Sequence, residues 1–156
     1  MKLYHSSDVM VDKPDTLHSR EFLDFGKGFY LTSIEDQAIK YAQRFVRRQR
    51  DAWVNTYEFE IDLSQWKVCH FHSYDREWLD FVSKCRAGND NTDFDLIIGG
   101  IANDKVIQTL DRYFMGELSD EDTLGLLRYE RPNIQYCIRS QHMLNECLQH
   151  IESRKL

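Results

Sequence analysis

Residues 24–32 read Asp24-Phe25-Gly26-Lys27-Gly28-Phe29-Tyr30-Leu31-Thr32: two glycines one residue apart, followed at once by an aromatic and apolar run. Glycine lets a backbone turn tightly or lie close to a ligand or another backbone. The segment therefore reads either as a hairpin turn entering a core strand, Gly28 to Thr32, or as a loop lining a ligand. A dinucleotide fingerprint would continue with a further Gly-x-x-Gly, and none follows.

Working outward, Ser33 is placed as an N-cap with Asp36 in the capping-box position. Ile34, Ala38, Tyr41, Ala42 and Phe45 then recur at helical spacing, which predicts an amphipathic helix of about four turns. Upstream, Lys2 to Ser6 reads as a strand and the residues through Pro14 to Gly28 as a polar loop. Downstream, Trp53 to Asp62 alternates in the strand sense, Trp66 to Phe71 is a further strand, and Asp75 to Arg86 a helix. Phe94 to Ile98 is an apolar strand ending in Gly99-Gly100. Asn103 or Asp104 caps a helix expected to bury Val106, Ile107, Leu110, Tyr113 and Phe114, and Ser119 caps another through Leu127. Ile134 to Arg139 is read as the last strand and Met143 to Ile151 as the last helix. Strands and helices mix without regular βαβ alternation, so the expected class is α+β with antiparallel pairing.

The chain has 156 residues, with 20 Lys plus Arg against 26 Asp plus Glu, a scale and composition that imply one globular domain, 1–156. No apolar run approaches the roughly 20 residues of a membrane helix, and the start MKLYHSSD has no signal-peptide core, so a cytoplasmic location without membrane attachment is expected. Cys69, Cys85, Cys137 and Cys147 form no CxxC pair and read as reduced thiols, with no metal site expected. A formal charge of -6 argues against a general nucleic-acid coat. It also hides a basic run, Lys40, Arg44, Arg47, Arg48 and Arg50, which reads as an electrostatic recruiter of nucleic acid or as the solvated face and C-terminal end of a helix.

Two further segments carry polar side chains at strand ends. In Leu3-Tyr4-His5-Ser6-Ser7, His5 could bond a sugar hydroxyl or serve as a structural strand residue. In Asn133-Ile134-Gln135-Tyr136, Gln135 could contact a ligand or simply occupy an edge strand.

Taken in order, His5, the FGKGFY segment with Tyr30, and the late N-x-Q strand resemble the H-Y-E arrangement of diphtheria-toxin-like ADP-ribosyltransferases, including the poly-ADP-ribose polymerases. Tyr41, eleven residues after Tyr30, stands where that superfamily has its second tyrosine, and Ser7 matches the Ser of its HGS element. Nearly the whole chain also looks like an uncharacterised bacterial family assigned to the same superfamily, with LYHGS, DFGKGFYLT, YDxVxGxxAND and NxQxxF motifs. Here these read LYHSS, DFGKGFYLT, FDLIIGGIANDK and NIQYCI.

The resemblance implies a compact ADP-ribosyltransferase fold, with a split, mainly antiparallel sheet and flanking helices. It implies NAD as co-substrate, no metal, and mono-ADP-ribosylation of a protein, RNA or DNA target. It also implies a toxin-like role in a toxin–antitoxin or defence system, with a small antitoxin-like partner protein. Tyr30 and Tyr41 would sandwich the nicotinamide, His5 would bond a ribose hydroxyl, and Ser7 the carboxamide, alongside Ser6, Gly28 and Phe29. Arg20 would reach the pyrophosphate or adenosine side. Asn103 and Asp104 fall in the family's AND segment, with helix capping as the alternative. Gln135 stands where the superfamily has Glu or a replacement, which points to mono-ADP-ribosylation or to an inactive NAD or ADP-ribose-binding module acting through a partner. Asp24 could supply an acid or be a turn residue. Ser6 replaces a Gly of the HGS element, and Ala38 replaces a Ser that contacts nicotinamide in polymerases.

Overall fold

The computed structural model describes residues 1–156. Helix α1 (Glu35–Arg47) covers one face of strand β3 (Trp53–Phe59), and a second sheet covers the other. Both alternating sets of β3 are accordingly buried: Val54 and Thr56 on one side, Asn55, Tyr57 and Phe59 on the other. β3 pairs antiparallel on both edges, with β1 (Lys2–Ser7) and with β7 (Leu148–Lys155), giving the sheet order β1-β3-β7.

The second sheet contains β2 (Phe29–Leu31), β6 (Asn133–Ile138), β5 (Leu96–Ile101) and β4 (Val68–His70), in that spatial order. Only β4 and β5 run parallel, joined through helix α2 (Arg76–Arg86), as a parallel pair requires a crossover. The two sheets share a single backbone bridge, in which the Tyr4 and Thr32 amides each donate to the other's carbonyl at 2.8 and 2.9 Å. With α3 (Asp104–Phe114), α4 (Asp120–Leu127) and α5 (Gln141–Cys147), the architecture is α+β with two mostly antiparallel sheets. No helix is long and apolar enough to cross a membrane.

Three apolar clusters hold these layers. Leu3, Tyr57 and Phe59 meet Phe29, Leu31, Leu96 and Ile138 between the sheets, closed by Met143 and Leu144 of α5. On the far face of the four-stranded sheet, Ile97 and Cys137 pack against Trp78, Leu79 and Val82 of α2 and Val106 and Leu110 of α3. Trp78 is fully buried and donates its indole N–H to the Gly100 carbonyl at 2.6 Å, so its loss to alanine should cost about 3–5 kcal/mol. Ala38 and Ala42 seat α1 on Ala52 and Val54.

Several expectations change. The last helix ends at Cys147 rather than Ile151, because Leu148 onward pairs along the whole length of β3 and satisfies an edge that would otherwise be open. The cap of α1 is not Ser33: Ile34 holds that position, and Thr32 Oγ1 accepts from the Ile34 amide while donating to Gln37. The strand expected to end at Ile98 runs on through Gly99 and Gly100. A Cβ on Gly99 would lie 3.0 Å from Phe71, and one on Gly100 2.6 Å from the Tyr74 ring, so rings lie directly on the bare backbone there. β3 stops at Phe59 instead of Asp62, and Phe114 is 44 % exposed rather than buried.

Candidate functional site

Beyond the Tyr4–Thr32 bridge, β1 and β2 form no ladder, and the side chain of His5 spans the gap. Its Nδ1 lies 2.7 Å from the Tyr30 carbonyl oxygen, and its ring stacks on Phe29 with centroids 4.2 Å apart. A carbonyl only accepts, so Nδ1 carries the proton and Nε2 is left as a bare acceptor. Burial pushes the His5 pKa down, against the opposing effect of the Tyr30 carbonyl, so the ring is neutral near pH 7. Asn55 supports this strand from behind: its Nδ2 donates to the His5 carbonyl at 3.2 Å, while its Oδ1 accepts from the Val11 amide and the Ser153 hydroxyl.

Residues directly opposed across a sheet project to the same side. Tyr30 opposes Cys137, and Gln135 opposes Gly99, so Tyr30, Cys137 and Gln135 share one face. Continuing the β2 register sets Thr32 opposite Gln135. Tyr4, the bridge partner of Thr32, packs on α1, whereas Tyr30 packs on the α2–α3 cluster. The strip Tyr30–Thr32–Gln135 therefore lies between α1 on one flank and α2 with α3 on the other.

Tyr30 is held firmly within the strip. Its hydroxyl donates to the Gly26 carbonyl at 2.6 Å and accepts from the Phe25 amide at 3.1 Å, and its ring lies nearly parallel to that of Phe25. Burial drives its pKa far above the ordinary phenol range, so the hydroxyl stays protonated. The glycine pair serves this turn: Gly26 has a φ of 73°, and a Cβ on Gly28 would sit 2.6 Å from Cys137 Sγ. Gln135 is half-buried and its amide makes no hydrogen bond to the rest of the protein. Two residues earlier on the same face, Asn133 Oδ1 is buried without a partner.

The other expected residues fall around this strip. Ser6 donates to the Ala38 carbonyl at 2.5 Å and so fastens β1 to α1, and Ser7 Oγ accepts from the Val9 amide. Gly28 donates its amide to Ser19, which brings the Arg20 loop to the start of β2; Arg20 itself is exposed and makes no ion pair. Tyr41 is 44 % exposed on α1 with the Arg44 guanidinium 4.8 Å over its ring, and it does not touch Tyr30. Asn103 caps α3 by accepting from the Val106 amide at 2.9 Å, and Asp104 is exposed beside it. Both follow the end of β5 that pairs with the start of β6, the same end of the sheet as Gln135.

Asp24 has a tightly defined role. It takes the Arg86 guanidinium at 2.6 Å and the Ala102 amide at 2.7 Å, tying the glycine turn to α2 and to the β5–α3 junction. The reading of Asp24 as an isolated turn residue gave no sign of an arginine 62 residues away. A second buried pair, Arg139 with Asp90 at 2.7 Å, was equally unmarked in the sequence. Asn55 and Thr32 likewise carried no signal beyond being polar residues within strand patterns.

Chemically, the strip offers a neutral amide in Gln135, a rigid ring in Tyr30 and an unpartnered carbonyl in Asn133, while His5 stands at its edge with Nδ1 on the Tyr30 carbonyl and its ring on Phe29. No uncommitted carboxylate is among them, and burial pushes the Cys137 thiol up to about 12, which removes it as a nucleophile. Two hollows of about 400 and 340 Å³ lie elsewhere, beside α5 and along β7, and include none of these residues. Nothing among curated proteins or solved structures matches the chain. A family described as Protein of unknown function (DUF3990) matches residues 1–150. With that match running from β1 into β7, the chain belongs to the DUF3990 family.

Proposed function

We propose that this chain is an NAD-dependent mono-ADP-ribosyltransferase of compact ADP-ribosyltransferase-like fold, with the nicotinamide half of NAD lying over the Tyr30–Gln135 strip. The observation that carries this reading is the bond from His5 to the Tyr30 carbonyl, which joins the two separate motifs of the resemblance at one point, on the strand that pairs with the one carrying Gln135. In the transfer, the bond between nicotinamide and ribose breaks, nicotinamide leaves with the bonding electron pair, and a nucleophile of the target bonds the ribose carbon and sheds its proton to solvent. The transition state is oxocarbenium-like.

His5 Nε2 accepts a hydrogen bond from a ribose hydroxyl, Tyr30 offers ring surface to the nicotinamide, and Arg20 lies on the pyrophosphate side. Gln135 keeps a hydrogen bond but lacks the charge that would stabilise the developing cation. Replacing a charge-assisted bond by a neutral one forfeits about 1 kcal/mol, roughly a fivefold slower step. Incubation with labelled NAD tests the reading: nicotinamide release and label transfer are expected from the wild type, and loss of at least tenfold from His5→Ala and Tyr30→Ala. Undiminished transfer in either variant would refute the site.

A second reading has its own support. Gln135 is neutral and Asp24, the nearest buried carboxylate to the turn, is committed to Arg86 and Ala102. A chain so built could bind NAD or ADP-ribose without turnover and act through a partner; calorimetric binding with no nicotinamide released over hours would select it. In the cell, the transferase acts in the cytoplasm as the toxin-like half of a bacterial toxin–antitoxin or defence pair, restrained by a small partner protein. Growth arrest on expression, relieved by Tyr30→Ala, is the expected result.

A further inference from the structure

From Gln37 to Arg50 the chain carries five cations and no carboxylate, although acids outnumber bases 26 to 20 overall. Lys40, Arg44, Arg47 and Arg48 recur at i, i+4, i+7 and i+8, so they form one stripe along the face of α1 opposite Ala38 and Ala42, and all four are exposed. None of the four makes an ion pair. The cations around them do: Arg50 with Asp8 at 3.3 Å, Arg154 with Glu35 at 3.0 Å, and Lys155 with Asp51 at 3.2 Å. Neutralisation is thus the local rule, and the stripe is its exception. The helix dipole accounts for cations in the last turn only. Lys40 lies in the second turn, about 12 Å along the axis from Arg48.

The stripe has an aromatic end. Tyr41 is 44 % exposed, with the Arg44 guanidinium 4.8 Å over its ring, a flat platform one turn from the strip that holds Tyr30 and Gln135. An acidic peptide would use the charges but has no need of the ring. A single-stranded nucleic acid uses both, through phosphates along the cations and a base on the aromatic–guanidinium platform.

We infer that the outer face of α1 docks a single-stranded nucleic acid, and that this strand is the acceptor class of the proposed transferase. The second half of the statement rests on the transferase reading; the docking itself does not.

The probe is a fluorescently labelled single-stranded RNA or DNA of about 20 nucleotides, titrated against the full chain by anisotropy. With one phosphate on each of the four cations, affinity should fall about 50-fold between 50 and 200 mM salt, since each phosphate contact on a single strand contributes about 0.7 to the logarithmic slope. The variant Lys40→Gln/Arg47→Gln/Arg48→Gln leaves one cation and should lose only about threefold over the same range. Its affinity at 50 mM salt should be at least tenfold below that of the wild type, with nicotinamide release from NAD unchanged. Thermal melting confirms that the variant folds, and a single substitution, Arg48→Gln, reads a partial loss if it does not. No strand binding at 50 mM salt, or equal binding by the triple variant, would overturn the inference. So would displacement of the strand by poly-glutamate at equal charge concentration, which would make the partner an acidic protein. A wild type that binds the strand but releases no nicotinamide would sink the transferase reading and leave the docking stripe in place.

Discussion

Gly28→Ala places a methyl group where the packing has no room for one. On the native backbone the new Cβ would lie 2.6 Å from Cys137 Sγ, 2.9 Å from the Ile138 carbonyl oxygen and 3.3 Å from Arg139 Cγ, where ordinary contact starts at 3.4 Å. The thiol is fully buried and the carbonyl belongs to the strand paired with β2, so neither can swing aside as an exposed side chain would. Overpacking of this kind costs about 1–3 kcal/mol. Alanine returns up to about 1 kcal/mol by restricting the unfolded chain. The expected net loss is about 1–2 kcal/mol, a fall in Tm of roughly 2–8 °C for a chain of this length. Urea denaturation followed by tryptophan fluorescence should show a lower midpoint with an unchanged slope. Because the closest atom is Sγ, Cys137→Ala should rescue part of the loss, with a coupling of about 1 kcal/mol in the double-mutant cycle. Gly125→Ala, in α4 with nothing within 4 Å, is the control and should gain about 0.5–1 kcal/mol. A Gly28→Ala protein within 0.5 kcal/mol of wild type, or one uncoupled from Cys137, would refute the reasoning.

Asp24→Asn should cost roughly 3 kcal/mol, because it strips the charge from the partner of the largely buried Arg86; Arg86→Met in the same chain should recover part of it, and equal melts for the single and double variants would argue against the pairing. His5 is held neutral, with its folded pKa below the unfolded value of 6.5, so on acidification the unfolded chain takes its proton first. The stability it confers is complete above pH 6.5 and drains as pH falls towards the folded pKa, at up to about 1.36 kcal/mol per pH unit. His5→Gln should flatten the stability profile between pH 7 and 5, and parallel profiles would count against it. Burial pushes Cys85 and Cys137 each up to about 12, so native iodoacetamide labelling at pH 8 should spare both, while urea exposes all four cysteines; rapid native labelling of either would contradict the packing.

What was legible in the chain were the elements that carry their own punctuation. Asn103 and Ser119 cap α3 and α4 as their spacing implies, accepting from the amides of Val106 and Asp122, and of the positions that helical spacing turns inward in α2, Trp78, Leu79, Val82 and Cys85 are buried while Phe81 is half-buried. What failed were features decided across the fold. Leu148 and Ile151 fit a helical spacing, but the open edge of β3 draws Leu148–Lys155 into the sheet, and no local pattern announces that edge. Ile34, not Ser33, heads α1, and its amide donates to Thr32, which the Tyr4 bridge already fixes. At the candidate site, residue types and order were readable, whereas the His5–Tyr30 contact across 25 residues and the Asp24–Arg86 anchor across 62 depend on which strands and helices meet.

The order β1-β3-β7 also sets a timetable for folding. The central strand takes its partners from the two ends of residues 1–156, so both pairings close long loops, which slows folding relative to local contacts. During synthesis β3 can pair with β1 early, but its other edge, including Tyr57 and Phe59, stays open until Leu148–Lys155 has left the ribosome. Through that interval the growing chain presents an unpaired strand beside apolar rings, the form most prone to associate with another chain. It is the pairing of Leu148–Lys155, about 90 residues after β3, that ends this exposure.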